Sequence, residues 1–140
     1  MSSKKNGTFY HYTDNNGGEK IMASGSINSS IKSQGGRDAV LGNGVYLTSI
    51  APKKRTEHIA ANNWSNGKSR AIKDGKLDNA VKVKLTDTAM KNLTRDTGGR
   101  DVHLYRSNNG LDLNDKSVVQ NYSVFDRVPQ RIKRQQRENK

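Results

Sequence analysis

The apolar residues of this chain come only in short bursts, and that pattern decides most of what it can fold into. Thr8–Thr13 (TFYHYT), Gly44–Ile50 (GVYLTSI), Ala80–Leu85 (AVKVKL), Asp101–Arg106 (DVHLYR) and Val118–Val128 (VVQNYSVFDRV) are β-branched, aromatic or alternating, the signature of half-buried strands. In the last of them Val119, Asn121, Ser123 and Phe125 are expected on one side, with Gln120, Tyr122, Val124 and Asp126 on the other. Two short helices are expected. Glu19–Ser24 follows the turn Asp14–Gly18 and is closed by Gly25 as C-cap, and Thr56 N-caps a helix from Glu57 to about Trp64. Residues 28–44 read as a loop around a short extended piece, and residues 65–79 as a polar connector. Strands outnumber helices and do not alternate with them, so the pattern is α+β without βαβ units. There is no internal repeat.

Composition sets the scale. Of 140 residues, 31% are hydrophobic, and the mean hydropathy is −0.96; this suffices for one small core with polar loops around it. Residues 1–7 read as a flexible lead, 8–128 as the domain and 129–140 as a basic tail. No apolar run approaches the roughly 20 residues that span a bilayer, so no transmembrane helix is expected, and no membrane is counted among the expected partners. The first residues lack the apolar stretch of a secretory signal peptide. Zero cysteines exclude disulfides, thiolate metal sites and cysteine nucleophiles.

Twenty-five Lys and Arg against thirteen Asp and Glu give a net charge of +12. Such a surplus concentrates any polyanion around the molecule: nucleic acid, anionic membrane or a phosphate-bearing small molecule. Residues 127–140 account for +5 of it, so the body is basic in its own right.

Two segments carry chemistry, Phe9-Tyr10-His11-Tyr12-Thr13 and Leu41-Gly42-Asn43-Gly44-Val45-Tyr46-Leu47-Thr48. Singly, each has a structural reading: aromatic residues at strand spacing fill cores, and Gly-Asn-Gly makes turns. Together they supply an imidazole able to bond a ribose hydroxyl, a glycine turn that lets backbone approach a ligand, and a tyrosine ring. A flat carboxamide ring on a sugar needs such a set.

On these residues the chain resembles the ADP-ribosyltransferases of the His-Tyr-Asp-signature toxin group, found at the C-terminal tips of bacterial polymorphic toxins. The resemblance runs from Phe9 to about Val119. It rests on FYHYTD, Ser24-Gly25 with Ile27 to Ser30, Asp38-Ala39, GNGVYLTSIAP and Asn109-Gly110-Leu111-Asp112-Leu113. It implies a split β-sandwich, two small and mostly antiparallel sheets with short helices, gripping NAD as co-substrate in a central cleft without a metal. It further implies that His11 meets the adenine-side ribose and that Thr13, next to Tyr12, holds the nicotinamide amide. Gly44 precedes Tyr46, which walls the nicotinamide slot; Thr56 supplies a hydroxyl to the carboxamide and Trp64 the opposite wall.

A third signature side chain must orient the nicotinamide ribose and stabilise positive charge as nicotinamide leaves, which a carboxylate does best. Asp112 in GLDL matches the group's motif. QNYSVFD also resembles the last-strand segment of poly-ADP-ribose polymerases, with Asn121 where those carry a glutamate. That substitution would leave only a hydrogen bond and favour mono transfer. Other features read as structural: His58 and His103 have no zinc spacing, and Gly98-Gly99 lacks the phosphate-loop Lys-Ser/Thr. Arg37, Arg55, Arg70 and Arg100, in expected loops, read as surface charge.

The leading expectation is mono-ADP-ribosyl transfer from NAD to a macromolecular acceptor (RNA, DNA or protein) by a toxin or effector. Such a protein is delivered into a target cell's cytoplasm, as a detached toxin tip or a stand-alone chain, and is countered by an immunity protein if bacterial. The alternatives are a non-catalytic RNA- or DNA-binding module, and an RNA 2′-phosphotransferase on the same fold.

Overall fold

The computed structural model describes residues 7–29, 42–54, 56–63, 68–96 and 100–127. A strand forms within each expected segment, though the second covers only Gly44–Leu47 and the fourth only His103–Arg106, and every pairing among the described residues is antiparallel. β1 (Thr8–Thr13) pairs with β4 (Asn79–Leu85), whose other edge carries β8 (Val119–Asp126). A second sheet places β6 (His103–Arg106) between β3 (Gly44–Leu47) and β5 (Leu93–Arg95). A two-residue ribbon joins β2 (Ser26–Ile27) to β7 (Leu111–Asp112). With helices α1 (Asn15–Ser24), α2 (Thr56–Asn63), α3 (Lys68–Lys73) and α4 (Asp87–Met90), the architecture is α+β.

Alternation along the strands divides the molecule. Val81, Val83 and Leu85 of β4 turn one face towards Phe9, Val45, Leu47 and Leu111, forming the larger core. Ala80, on the opposite face, joins Tyr12, Ile59, Ala60 and Leu77 in a smaller core under α2. The two sheets are tied where β3 runs out beside β1. Tyr10 N–H donates to the Thr48 carbonyl at 2.7 Å, and Thr48 N–H returns to the Tyr10 carbonyl at 2.9 Å. This bridge brings the two signature segments together.

The structure revises several local expectations. α1 begins at Asn15, not Glu19, because the Asp14 carboxylate accepts the Gly17 N–H at 2.7 Å and caps a helix through residues that read as a turn. Gly25 closes α1 as expected, at φ 72° with its N–H on the Ile21 carbonyl. The connector holds α3, whose buried Ala71 is too isolated to announce a helix. α4 and β5 had no periodic signal, and Thr86 caps α4 by accepting the Ala89 N–H.

The alternation read along β8 is broken by a bulge. Lys84 stands opposite Asn121, whereas Leu85 stands opposite Val119, so Gln120 is the extra residue. Val119 therefore enters the larger core while Asn121, Ser123 and Phe125 share the opposite, outer face. Gln120 braces the bulge by donating from its side-chain amide to the Leu85 carbonyl.

Candidate active site

A cleft of about 220 Å³ opens where β1 and β3 diverge. It is lined by Tyr10, His11, Tyr12 and Thr13 from β1, by Tyr46, Leu47 and Thr48 from β3 and its end, and by Asn63, Lys76, Arg100 and Val102. The strand bridge makes the juxtaposition, since it fixes His11 next to Tyr46 across the gap.

His11 Nδ1 lies 3.0 Å from the Tyr46 carbonyl oxygen. A carbonyl only accepts, so Nδ1 carries the proton in this contact. Burial disfavours the charged ring and holds the His11 pKa below its ordinary value, and the Tyr46 carbonyl opposes this only in part. At neutral pH the imidazole is neutral, so Nε2 carries the ring's lone pair, and His11 is among the residues that line the cleft. Because the folded pKa is depressed, the native state takes up a proton less readily than the unfolded chain. The His11 contribution to stability is thus complete above the unfolded value of about 6.5 and is lost as pH falls from there towards the lower folded value. We expect His11→Asn to flatten the acid limb of the stability curve, followed as the urea midpoint from pH 7.5 down to pH 5.

Tyr46 is half-buried, and its hydroxyl donates to the Gly42 carbonyl at 2.7 Å, which pins the Gly-Asn-Gly turn against the ring. Gly44 serves packing. Its φ is +153°, and a β-carbon there would sit 2.3 Å from the Tyr105 carbonyl oxygen of β6. The close approach at this glycine is to the neighbouring strand. Gly44→Ala should cost roughly 1–3 kcal/mol, visible as a lowered denaturant midpoint, and should shift Tyr46 with β3.

Tyr12 donates to the Ile50 carbonyl at 2.7 Å, and the Arg127 guanidinium lies 5.7 Å from its ring centre. Burial pushes the Tyr12 phenol far above its usual range despite that cation, so it remains a hydrogen-bond donor. Arg127 itself is 3% exposed. Its guanidinium donates to the carbonyls of Pro52, Lys54 and Leu77 and to the Thr56 hydroxyl. Thr56 is therefore held behind the cleft wall by Arg127 and is not among the lining residues.

Several lining residues carried no sequence signal. Arg100 read as plain surface charge, yet it lines the cleft with a side chain 25% exposed, pairs with Asp96 at 3.3 Å and donates to the Asn62 carbonyl. Lys76 pairs with the α1 cap Asp14 at 3.5 Å. That pair is largely in water and contributes little to stability, which leaves the ammonium able to meet an anion. Their only mark in sequence is a place next to strand ends. Behind Arg100, Asp101 is a knot. Its carboxylate accepts from the Ser49 N–H and hydroxyl and contacts His103 Nε2, while its backbone is clasped on both sides by the Asn62 amide. Burial alone would raise the Asp101 pKa, but the bonds from His103 and Ser49 outweigh it and hold the carboxyl well below the usual range.

Asp112 is exposed on β7, opposite Ser26, and accepts the Asn114 N–H. Asn121 is exposed on β8, separated from β1 by β4. Among the described residues neither lines the cleft. Trp64 lies outside the described residues.

The comparison with known families decides the class. Residues 9–117 match the family described as "HYD1 signature containing ADP-ribosyltransferase". The chain belongs to this family of toxin ADP-ribosyltransferases. No curated protein and no solved structure matches it. Membership agrees with the architecture: the small antiparallel sheets with short helices are those of an ADP-ribosyltransferase-like fold. ADP-ribosyltransferases take NAD as co-substrate, and a toxin domain of this kind acts on a target macromolecule as a delivered effector. The matched segment contains His11, Tyr46 and Asp112 and ends before Asn121.

Proposed function

We propose that this ADP-ribosyltransferase is a mono-ADP-ribosyltransferase that binds NAD in the cleft between β1 and β3 and transfers a single ADP-ribose to a macromolecule. The observation that carries the reading is the meeting of a neutral imidazole and a tyrosine ring across one hollow, held by the Tyr10–Thr48 bridge. The cleft volume of about 220 Å³ is below the roughly 300–1,000 Å³ of sites that enclose a whole small molecule. It therefore takes part of the dinucleotide, and the remainder passes over the rim.

In this arrangement His11 Nε2 accepts from the hydroxyl of the adenine-side ribose. The Tyr46 ring stacks on the nicotinamide, and the backbone about Thr13 bonds the carboxamide. Lys76 and Arg100 at the rim offset the negative pyrophosphate. The reaction breaks the bond from nicotinamide nitrogen to ribose carbon 1 and forms a bond from that carbon to an acceptor nucleophile, whose proton leaves to water. Asp112, inside the family segment, is proposed ahead of Asn121 as the third signature residue; as neither lines the cleft, it would meet the part of the dinucleotide that passes over the rim. Incubating the chain with labelled NAD and cell extract, then digesting separately with RNase, DNase and protease, tests the reading. Label lost with one digestion, together with released nicotinamide, identifies the acceptor class; nicotinamide release with no macromolecular label would instead show plain NAD hydrolysis.

A further inference from the structure

The outer face of the β1-β4-β8 sheet offers a second surface beside the cleft. Cross-strand register builds it row by row: Thr8, Lys84 and Asn121; Tyr10, Lys82 and Ser123; Tyr12, Ala80 and Phe125. The smaller core covers this face around Tyr12 and Ala80 and packs against Tyr10 as well, while Lys82, Lys84, Asn121, Ser123 and Phe125 are not part of it. The three strands contribute two lysines to it and no carboxylate, and among the described residues neither Lys82 nor Lys84 is ion-paired. Phe125 is 42% exposed, one of two large exposed hydrophobics among the described residues. The β8 bulge matters here: it puts Asn121, Ser123 and Phe125 on this face while Val119 stays in the core. Tyr10 belongs to both surfaces, since it lines the cleft and sits beside Lys82.

We propose that this face is the docking surface for the acceptor, and that the acceptor it takes is single-stranded nucleic acid. The inference rests on the transferase reading and adds the substrate class. Lysines on a central strand, with the exposed Phe125 ring on one flanking strand and the half-buried Tyr10 on the other, make a platform on which a base stacks while the ammonium groups meet phosphates. An acidic protein would use the lysines, but a phenylalanine among small polar residues offers it no matching pocket. The net charge of +12 adds attraction at longer range. A strand lying along β4 passes Tyr10 and so presents a nucleotide at the mouth of the cleft.

The test is fluorescence anisotropy with a labelled oligouridylate 12-mer and an oligothymidylate 12-mer, against a DNA duplex and a polyglutamate competitor. The variants are Lys82→Gln/Lys84→Gln, Phe125→Ala and Phe125→Trp, with Lys116→Gln as a surface control. Removing two phosphate contacts should lower the salt slope of single-strand binding by about 1.4. Phe125→Ala should weaken it by roughly fivefold or more, and Phe125→Trp should restore it. NAD affinity measured calorimetrically on the same samples separates the two readings, because it depends on His11 and Tyr46 and not on this face. Single-strand binding equal in all variants would overturn the docking proposal while leaving the transferase reading intact. Duplex bound as tightly as single strand, or polyglutamate binding that alone responds to the lysine changes, would overturn the assignment to single-stranded nucleic acid. Thermal melts on every variant show that a lost signal is not lost folding.

Discussion

Replacing Tyr46 with alanine should weaken NAD binding roughly 12- to 150-fold. Stacking on a flat ring contributes roughly 0.5–1.5 kcal/mol beyond area burial, and covering one face of the ring adds roughly another 1–1.5 kcal/mol. The total of about 1.5–3 kcal/mol gives that range. Tyr46→Phe discriminates this from a merely structural role. It keeps the ring and loses only the hydroxyl bond to the Gly42 carbonyl, so affinity should fall by no more than about tenfold. Calorimetric titration with NAD checks both. Equal losses in the two variants would assign the effect to the turn and remove the ring from the binding site.

The largest effect on stability should come from Arg127. Its guanidinium reaches three backbone carbonyls and one hydroxyl at 2.8–3.4 Å, and its own N–H donates to the Asp78 carbonyl. These bonds close the segment from Pro52 to Thr56 over the back of Tyr12. Arg127→Met keeps most of the volume but leaves those acceptors without donors in a buried place, at roughly 1–3 kcal/mol for each that water does not reach. With two such sites a loss of about 3 kcal/mol follows, and a melting temperature lower by roughly 10–15 °C. Arg127→Lys should recover little, because one ammonium cannot span the fork of partners. NAD affinity should fall as well, since Tyr12 and the end of β3 lose their backing. A melt within a few degrees of the parent would show that water or neighbouring groups satisfy the carbonyls.

What the sequence could reveal follows from where the information resides. The strands were legible because alternation is a local property: AVKVKL states its buried and wet faces within six residues. The pairing of His11 with Tyr46 was legible only through family resemblance, since the bridge between Tyr10 and Thr48 is a long-range event that no local pattern encodes. Asp14 as a cap was hidden because Asn-Asn-Gly-Gly has the composition of a turn, and one carboxylate overrode it. Thr56 was assigned to the ligand because its position at a helix start is visible, whereas the arginine that occupies its hydroxyl comes from 71 positions away. The same holds for Arg100 and Lys76. Loop cations acquire a role only when the fold sets them at a rim. The bulge at Gln120 reversed the side of Val119, a one-residue effect that period-two reading cannot see.

The most direct measurement of the central claim is a crystal structure of the chain with a non-hydrolysable NAD analogue. The account predicts the nicotinamide ring stacked on Tyr46, and a ribose hydroxyl within about 3 Å of His11 Nε2. The dinucleotide should pass between Lys76 and Arg100. An analogue bound elsewhere, or one in the same cleft with neither His11 nor Tyr46 in contact, would contradict it.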